Sequence, residues 1–162
     1  MPATYEPIAT QTLASPQLGI DFTSIPATYT DLRLVIVGGS TSTSRAVRLN
    51  FNLDSATNYS YTRILGNGTS ATIDRTANDT AMDIGYFNTN IYNITINDIM
   101  NYTNTTTFKT VLTRWNTTDY TVGAVGLWRK TPEAINRIGL TSGSGSSFPT
   151  GCVATLYGIK AA

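Results

Sequence analysis

The sequence predicts an all-β chain, an antiparallel β-sandwich of jelly-roll type with about eight to ten strands. Three observations predict it. Apolar residues recur with a period of two along most of the chain, the spacing of a half-buried strand. Clusters of Gly, Asn, Asp and Ser separate these runs at short, fairly regular intervals. About a third of the 162 residues are Thr, Asn or Ser, a mixture of a strand former with two turn formers.

The elements follow in order. Residues 1–17 carry Pro2, Pro7 and Pro16 and read as an extended N-terminal arm or an edge strand, able to add to a neighbour's sheet. Residues 18–162 read as the sandwich domain, with no linker, charge block or second domain. Leu18, Ile20 and Phe22 alternate before the Ser24-Ile25-Pro26 turn. Leu32, Leu34 and Ile36 alternate with Arg33, Val35 and Val37, a run apolar on both sides that predicts a central buried strand. Val47, Leu49 and Phe51 alternate with Arg48, Asn50 and Asn52, as in a strand with one wet face. Asp54-Ser55-Ala56-Thr57-Asn58 is a turn, and Gly66-Asn67-Gly68 predicts a hairpin between residues 59–65 and 69–75. Tyr92, Ile94 and Ile96, then Val111, Thr113 and Trp115, then Tyr120, Val122 and Ala124 mark three more strands. Thr131-Pro132-Glu133-Ala134 has the cap and first-turn proline of a helix start, so a short helical turn followed by a strand is expected there. A flexible loop over residues 143–147 precedes a last strand from Cys152 to Ile159, with Val153, Thr155, Tyr157 and Ile159 on one face.

Composition excludes several classes of function. Charged residues are 13% of the chain and the net charge is +1, with no basic cluster of the kind that phosphate-based nucleic-acid binding needs. Histidine is absent, which removes Ser-His-Asp and Cys-His catalysis and every His-based metal site. Cys152 is alone, so no intrachain disulfide forms. No apolar run is long enough to span a bilayer as a helix, and the first six residues lack the basic and apolar segments of a signal peptide. The expectation is a soluble chain made in a reducing compartment.

Candidate sites are few. Gly66-Asn67-Gly68-Thr69-Ser70-Ala71 matches the loose dinucleotide pattern, but the β-branched segment after it cannot start the helix that pattern needs, so a hairpin turn is the reading. Asp74, Asp79 and Asp83 are the closest carboxylates; their spacing suits neither a glycosidase pair nor a calcium loop, leaving solvated loop acids, with a weak cation site as the alternative. Cys152 lacks a base and reads as a small buried residue. The Asn-Xaa-Ser/Thr matches beginning at Asn58, Asn67, Asn78, Asn93, Asn101, Asn104 and Asn116 follow from composition. Trp115 and Trp128 lie on expected strands and read as core, while Tyr59, Tyr61, Tyr92, Tyr102 and Tyr120 are placed by sequence neither inside nor outside. No catalytic, cofactor-binding or metal-ligating residue is assigned.

Six motifs occur in a set order: Tyr5-Glu6-Pro7-Ile8-Ala9-Thr10; Ile25-Pro26-Ala27-Thr28-Tyr29-Thr30-Asp31-Leu32; Asn58-Tyr59-Ser60-Tyr61 leading into Gly66-Asn67-Gly68; Ile99-Met100-Asn101-Tyr102 before Phe108-Lys109-Thr110-Val111-Leu112; Val125-Gly126-Leu127-Trp128-Arg129; and Leu156-Tyr157-Gly158-Ile159-Lys160. Together they span nearly the whole chain and resemble a family of small virion structural proteins of tailed bacteriophages, cyanophages included. The resemblance implies a structural role and carries no catalytic residues. Some such jelly rolls are capsid cement or decoration proteins, typically trimers clamped over junctions between capsid subunits; others form tail-fibre tips. The leading expectation is therefore a cement protein on the capsid surface of a virion assembled in the host bacterial cytoplasm, a homotrimer whose partner is the major capsid protein. It would be no enzyme, would use no cofactor, and would bind neither nucleic acid nor membrane. The alternative is a tail-fibre or host-receptor-binding module that meets a glycan receptor through aromatic and Asn/Thr loops. A polysaccharide-degrading enzyme is the weakest reading, since it needs a carboxylate pair in a groove.

Overall fold

Alternation decides which side of each strand is buried, and it yields twelve antiparallel strands among the residues that the structure, a computed structural model, describes. Those residues are 5–143 and 145–160; residues 1–4, where the expected arm begins, residues 161–162, and Ser144 of the expected 143–147 loop lie outside them. The strands are β1 (Tyr5–Thr12), β2 (Gly19–Phe22), β3 (Asp31–Gly38), β4 (Arg45–Phe51), β5 (Tyr59–Gly66), β6 (Ala71–Asp79), β7 (Met82–Phe87), β8 (Asn93–Ile99), β9 (Lys109–Asn116), β10 (Thr121–Trp128), β11 (Ile138–Ser142) and β12 (Val153–Ile159). Eight form one sheet in the order β1-β12-β3-β8-β9-β10-β5-β6, and four form the other in the order β2-β11-β4-β7.

The pairing is nested. β5 pairs β6, β4 pairs β7, and β2 pairs β11, while β3 and β10 flank the inserted β8–β9 hairpin. Folding such nested pairs across two sheets is the jelly-roll pattern. Eight strands make the roll. The β8–β9 hairpin and the β1–β12 pair bring the total to twelve, beyond the eight to ten expected.

The layers close over a core that includes Leu32, Leu34, Ile36, Leu49, Phe51 and Leu156, all fully buried. One corner is pinned by polar groups. The Trp128 indole donates to Asp54 Oδ2 at 2.6 Å, and the same carboxylate accepts the Ala56 N–H at 3.0 Å and Asn58 Nδ2 at 2.9 Å. The Trp128 ring stacks on Tyr59, whose hydroxyl accepts the Phe51 N–H at 2.9 Å. Burial opposes the Asp54 charge, but the donors from Trp128, Asn58 and Ala56 outweigh it and hold this carboxyl below its ordinary value.

Several of the quoted motifs meet in space. Lys160 pairs with Glu6 at 2.9 Å, and the Tyr29 hydroxyl donates to Glu6 at 3.2 Å. Tyr29 lies so close over Gly158 that a Cβ there would sit 2.3 Å from its ring, and the Tyr102 hydroxyl donates to the Pro26 carbonyl. These contacts tie the two ends of the chain together.

Of the two readings of residues 1–17, the described part takes the edge strand: Tyr5–Thr12 pairs antiparallel with β12, with a bulge between Pro7 and Ala9, and Ile8, Ala9 and Leu13 pack on the core. Other expectations are corrected. No helical turn forms at Thr131-Pro132-Glu133-Ala134, because the Asn52 side chain takes up the backbone groups a helix would use. Its Nδ2 donates to the Ala134 carbonyl at 2.9 Å, and its Oδ1 accepts the N–H of Asn136 and of Arg137 at 3.0 and 3.1 Å. β3 is central in its sheet but buried on one face only, with Val37 exposed. In β8 the apolar set read from sequence points away from the core, and the buried residues are Asn93, Thr95, Asn97 and Ile99. In β12 Val153, Thr155, Tyr157 and Ile159 share one face as expected, and the core-facing set is Ala154, Leu156 and Gly158.

Two outcomes are expected. Deleting residues 1–17 strips β12 of one of its two partners and uncovers part of the core, so calorimetry should give a lowered unfolding temperature. A carboxyl held below its ordinary value contributes stability above that value, which is lost as pH falls through the folded one. The wild-type unfolding temperature should therefore fall more than that of Asp54→Asn between about pH 5 and pH 3.

Candidate docking face

The inserted β8–β9 hairpin partly inverts the usual polarity of a sandwich. Its inward residues Thr95, Asn97 and Thr113 are polar and hydrogen-bonded, beside apolar Ile99, Val111 and Trp115. Asn97 Nδ2 donates to the Leu34 carbonyl at 3.2 Å, Asn97 Oδ1 accepts the Thr113 hydroxyl at 2.8 Å, and the Thr95 hydroxyl donates to the Ile84 carbonyl. Its outward residues include Ile94, Ile96 and Leu112, which continue a row of apolar side chains across the large sheet.

Register fixes that row. Val35 of β3 lies opposite Ile96, Ile96 opposite Arg114, Arg114 opposite Gly123, Gly123 opposite Ile64, and Ile64 opposite Ile73. Residues in one row share a face. Ile64 is 58% exposed and Ile73 75%, and Val37, Ile94, Leu112 and Val125 on the same face are exposed as well. Exposed apolar side chains grouped on one face make it a candidate interaction surface.

At its centre lies a shallow hollow of about 400 Å³ over Gly123, lined by Thr62, Ile64, Asp98, Leu112, Arg114 and Val125. A Cβ added at Gly123 would meet no atom within 4 Å, whereas one at Gly126 would run into Met82 Sδ at 2.1 Å. The second glycine is needed for packing; the first leaves a gap in an otherwise covered face.

Charge around the hollow is uneven. Arg33 Nε pairs with Asp98 at 2.5 Å, and that pairing holds the guanidinium above its ordinary pKa. Arg114 and Arg75 are exposed on the same face and make no side-chain ion pair among the described residues. The described residues contain no cluster of metal-ligating side chains.

The residues singled out in the sequence lie elsewhere. Asp74 and Asp79 are strand residues on β6 and Asp83 lies on β7, which corrects the reading of solvated loop acids. Arg63 bridges Asp74 and Asp83, and Arg48 bridges Asp79 and Asp83, so the network fastens the edge of one sheet to the other. Desolvation leads the causes that raise the Asp83 pKa, even with Tyr61, Arg48 and Arg63 against it. Gly66-Asn67-Gly68 is the β5–β6 hairpin turn, with Gly68 at φ 85° and Asn67 Oδ1 accepting the N–H of Ser70 at 2.8 Å. Cys152 is fully buried, and desolvation pushes its thiol up to about 11, so it is no nucleophile. Trp128, Tyr59 and Tyr102 belong to the main core, Tyr61 packs beside them, and Trp115 anchors a small separate cluster with Val122 and Ala124. Tyr92 and Tyr120 are exposed, and Asn93 is buried.

Sequence reasoning missed the docking face. Its signal was present in runs where both alternating sets are apolar, as in residues 32–37 and 122–125, and in the inverted Asn-Ile-Thr-Ile-Asn pattern of β8. No protein family matches the chain, and no curated protein or solved structure matches it either.

The two faces should respond differently to substitution. Leu112→Ser or Val125→Ser should change the unfolding free energy by less than about 1 kcal/mol, whereas Leu34→Ala should cost about 2–5 kcal/mol in a urea titration.

Proposed function

We propose that the chain is a virion structural protein of a tailed bacteriophage, a capsid cement or decoration protein that ties neighbouring capsid subunits together and stabilises the expanded head. The observation that carries this reading is the exposed apolar face of the large sheet, a broad surface suited to adhesion. The resemblance of the ordered motifs to small phage virion proteins suggests the biological setting. The partner in this reading is the major capsid protein, the protein sits on the capsid surface as a homotrimer, and assembly takes place in the host bacterial cytoplasm. Binding to the expanded lattice in preference to its precursor stabilises that state by mass action. Many copies then share the load of internal DNA pressure.

A specific observation favours a second reading, a tail-fibre or host-receptor-binding module. The hairpin ends form a cleft of about 250 Å³ lined by Leu65, Asn67, Ser70, Thr72 and exposed Tyr120. An aromatic ring beside amide and hydroxyl groups suits a sugar. Location separates the two readings, since a reconstruction of the particle places the protein on the head in one and at the tail in the other.

The direct test is co-sedimentation with expanded heads that lack the protein. The wild type should saturate the heads and raise their rupture temperature. Ile94→Ser/Leu112→Ser/Val125→Ser should keep its own unfolding temperature and bind at least about tenfold more weakly. Absence of wild-type binding would overturn the cement reading.

A further inference from the structure

The hollow over Gly123 has no role in building the fold. Glycine weakens a strand interior, because it orders a freer backbone and packs nothing. Open space lies above Gly123, and its backbone is not in the left-handed region that favours glycine, so a larger residue fits there. What the missing side chain provides is a recess, walled by the apolar groups of Ile64, Leu112 and Val125.

One side of the recess is cationic. Arg114 lies directly across the strand pair from Gly123, and Arg75 stands on the same face at β6. Neither has an ion-pair partner among the described residues, while Asp98, the carboxylate lining the hollow, is already held by Arg33. This charge pattern disfavours a second copy as the occupant. Two such hollows packed together would bring four guanidinium groups without ion pairs near one another, while the carboxylate lining each hollow, Asp98, is already held by Arg33.

We propose that the hollow receives an aliphatic side chain from an acidic protein segment, with Arg114 holding a carboxylate beside it and Arg75 extending the same attraction along the face. The inference rests on the docking reading of this face and names the chemistry of the partner. An aliphatic anchor in a recess, flanked by a bidentate guanidinium–carboxylate pair, is a recurrent way for an interface to gain both affinity and register.

The test uses N-acetyl-L-leucine, which joins an aliphatic side chain to a carboxylate, and its neutral amide as control. In heteronuclear NMR of the full chain, the acid should shift the amide signals of Gly123, Arg114 and Ile64 saturably. The neutral amide should bind about fivefold more weakly. Arg114→Gln should reduce the acid to the level of the amide, and Gly123→Val should abolish the shifts without lowering the unfolding temperature. Shifts confined to other residues, or equal for acid and amide and unchanged in Gly123→Val, would overturn the inference. Co-sedimentation with heads separates this failure from that of the cement reading. If the wild type binds heads and Gly123→Val and Arg114→Glu bind equally well, the inference falls and the cement reading stands. If the wild type does not bind heads, the cement reading falls and the NMR result alone judges the hollow.

Discussion

A sheet can hide only one of its faces against one other sheet, and here the two are unequal in width. Eight strands lie against four, so the sharing of apolar side chains between inside and outside governs the rest of the molecule. The narrow sheet spends its alternation in the ordinary way, with Ile20, Phe22, Val47, Leu49, Ile138 and Leu140 turned inward. The broad sheet does not. Its middle carries Asn97, Thr95 and Thr113 toward the interior, where their hydrogen bonds offset the loss of water, and turns Ile94 and Leu112 to solvent. A polar interior of this kind is tolerable only because each buried group finds a partner, which makes the Asn97 network as much a condition of the fold as the aliphatic core.

The sheet class and most strand positions were legible in the chain, because alternation and turn chemistry are local. Gly66-Asn67-Gly68 demanded a hairpin wherever its flanks went, and Val47-Arg48-Leu49-Asn50-Phe51 could face only one way. Orientation was not legible where the two alternating sets were of similar polarity. β12 offered Val153, Thr155, Tyr157 and Ile159 against Ala154 and Leu156, and the second set went inside. The helix start at Thr131 failed for a reason remote in sequence, since the competing hydrogen bonds come from Asn52. The carboxylates at residues 74, 79 and 83 looked like loop acids because their arginine partners, Arg48 and Arg63, lie on other strands. The docking face, likewise, is a property of register across six strands and could not be read from any one of them.

A broad, mostly neutral face is suited to a task that depends on many weak contacts. Flat apolar area gives adhesion without demanding a single deep fit, and a small number of charges sets orientation. The recess over Gly123 adds a point of register to an otherwise slippery surface. The structural glycines do the opposite. Gly126 and Gly158 let Met82 and Tyr29 close onto the sheet, so the same residue type serves cohesion at two positions and reception at a third.

The single thiol carries a consequence for handling. Cys152 sits just before β12, beside Gly38 at the end of β3, wholly shielded, and burial favours its protonated form. Dissolved oxygen and peroxides act on exposed thiolate, so the folded chain should age in air without crosslinking to its neighbours and need no reductant to stay in solution.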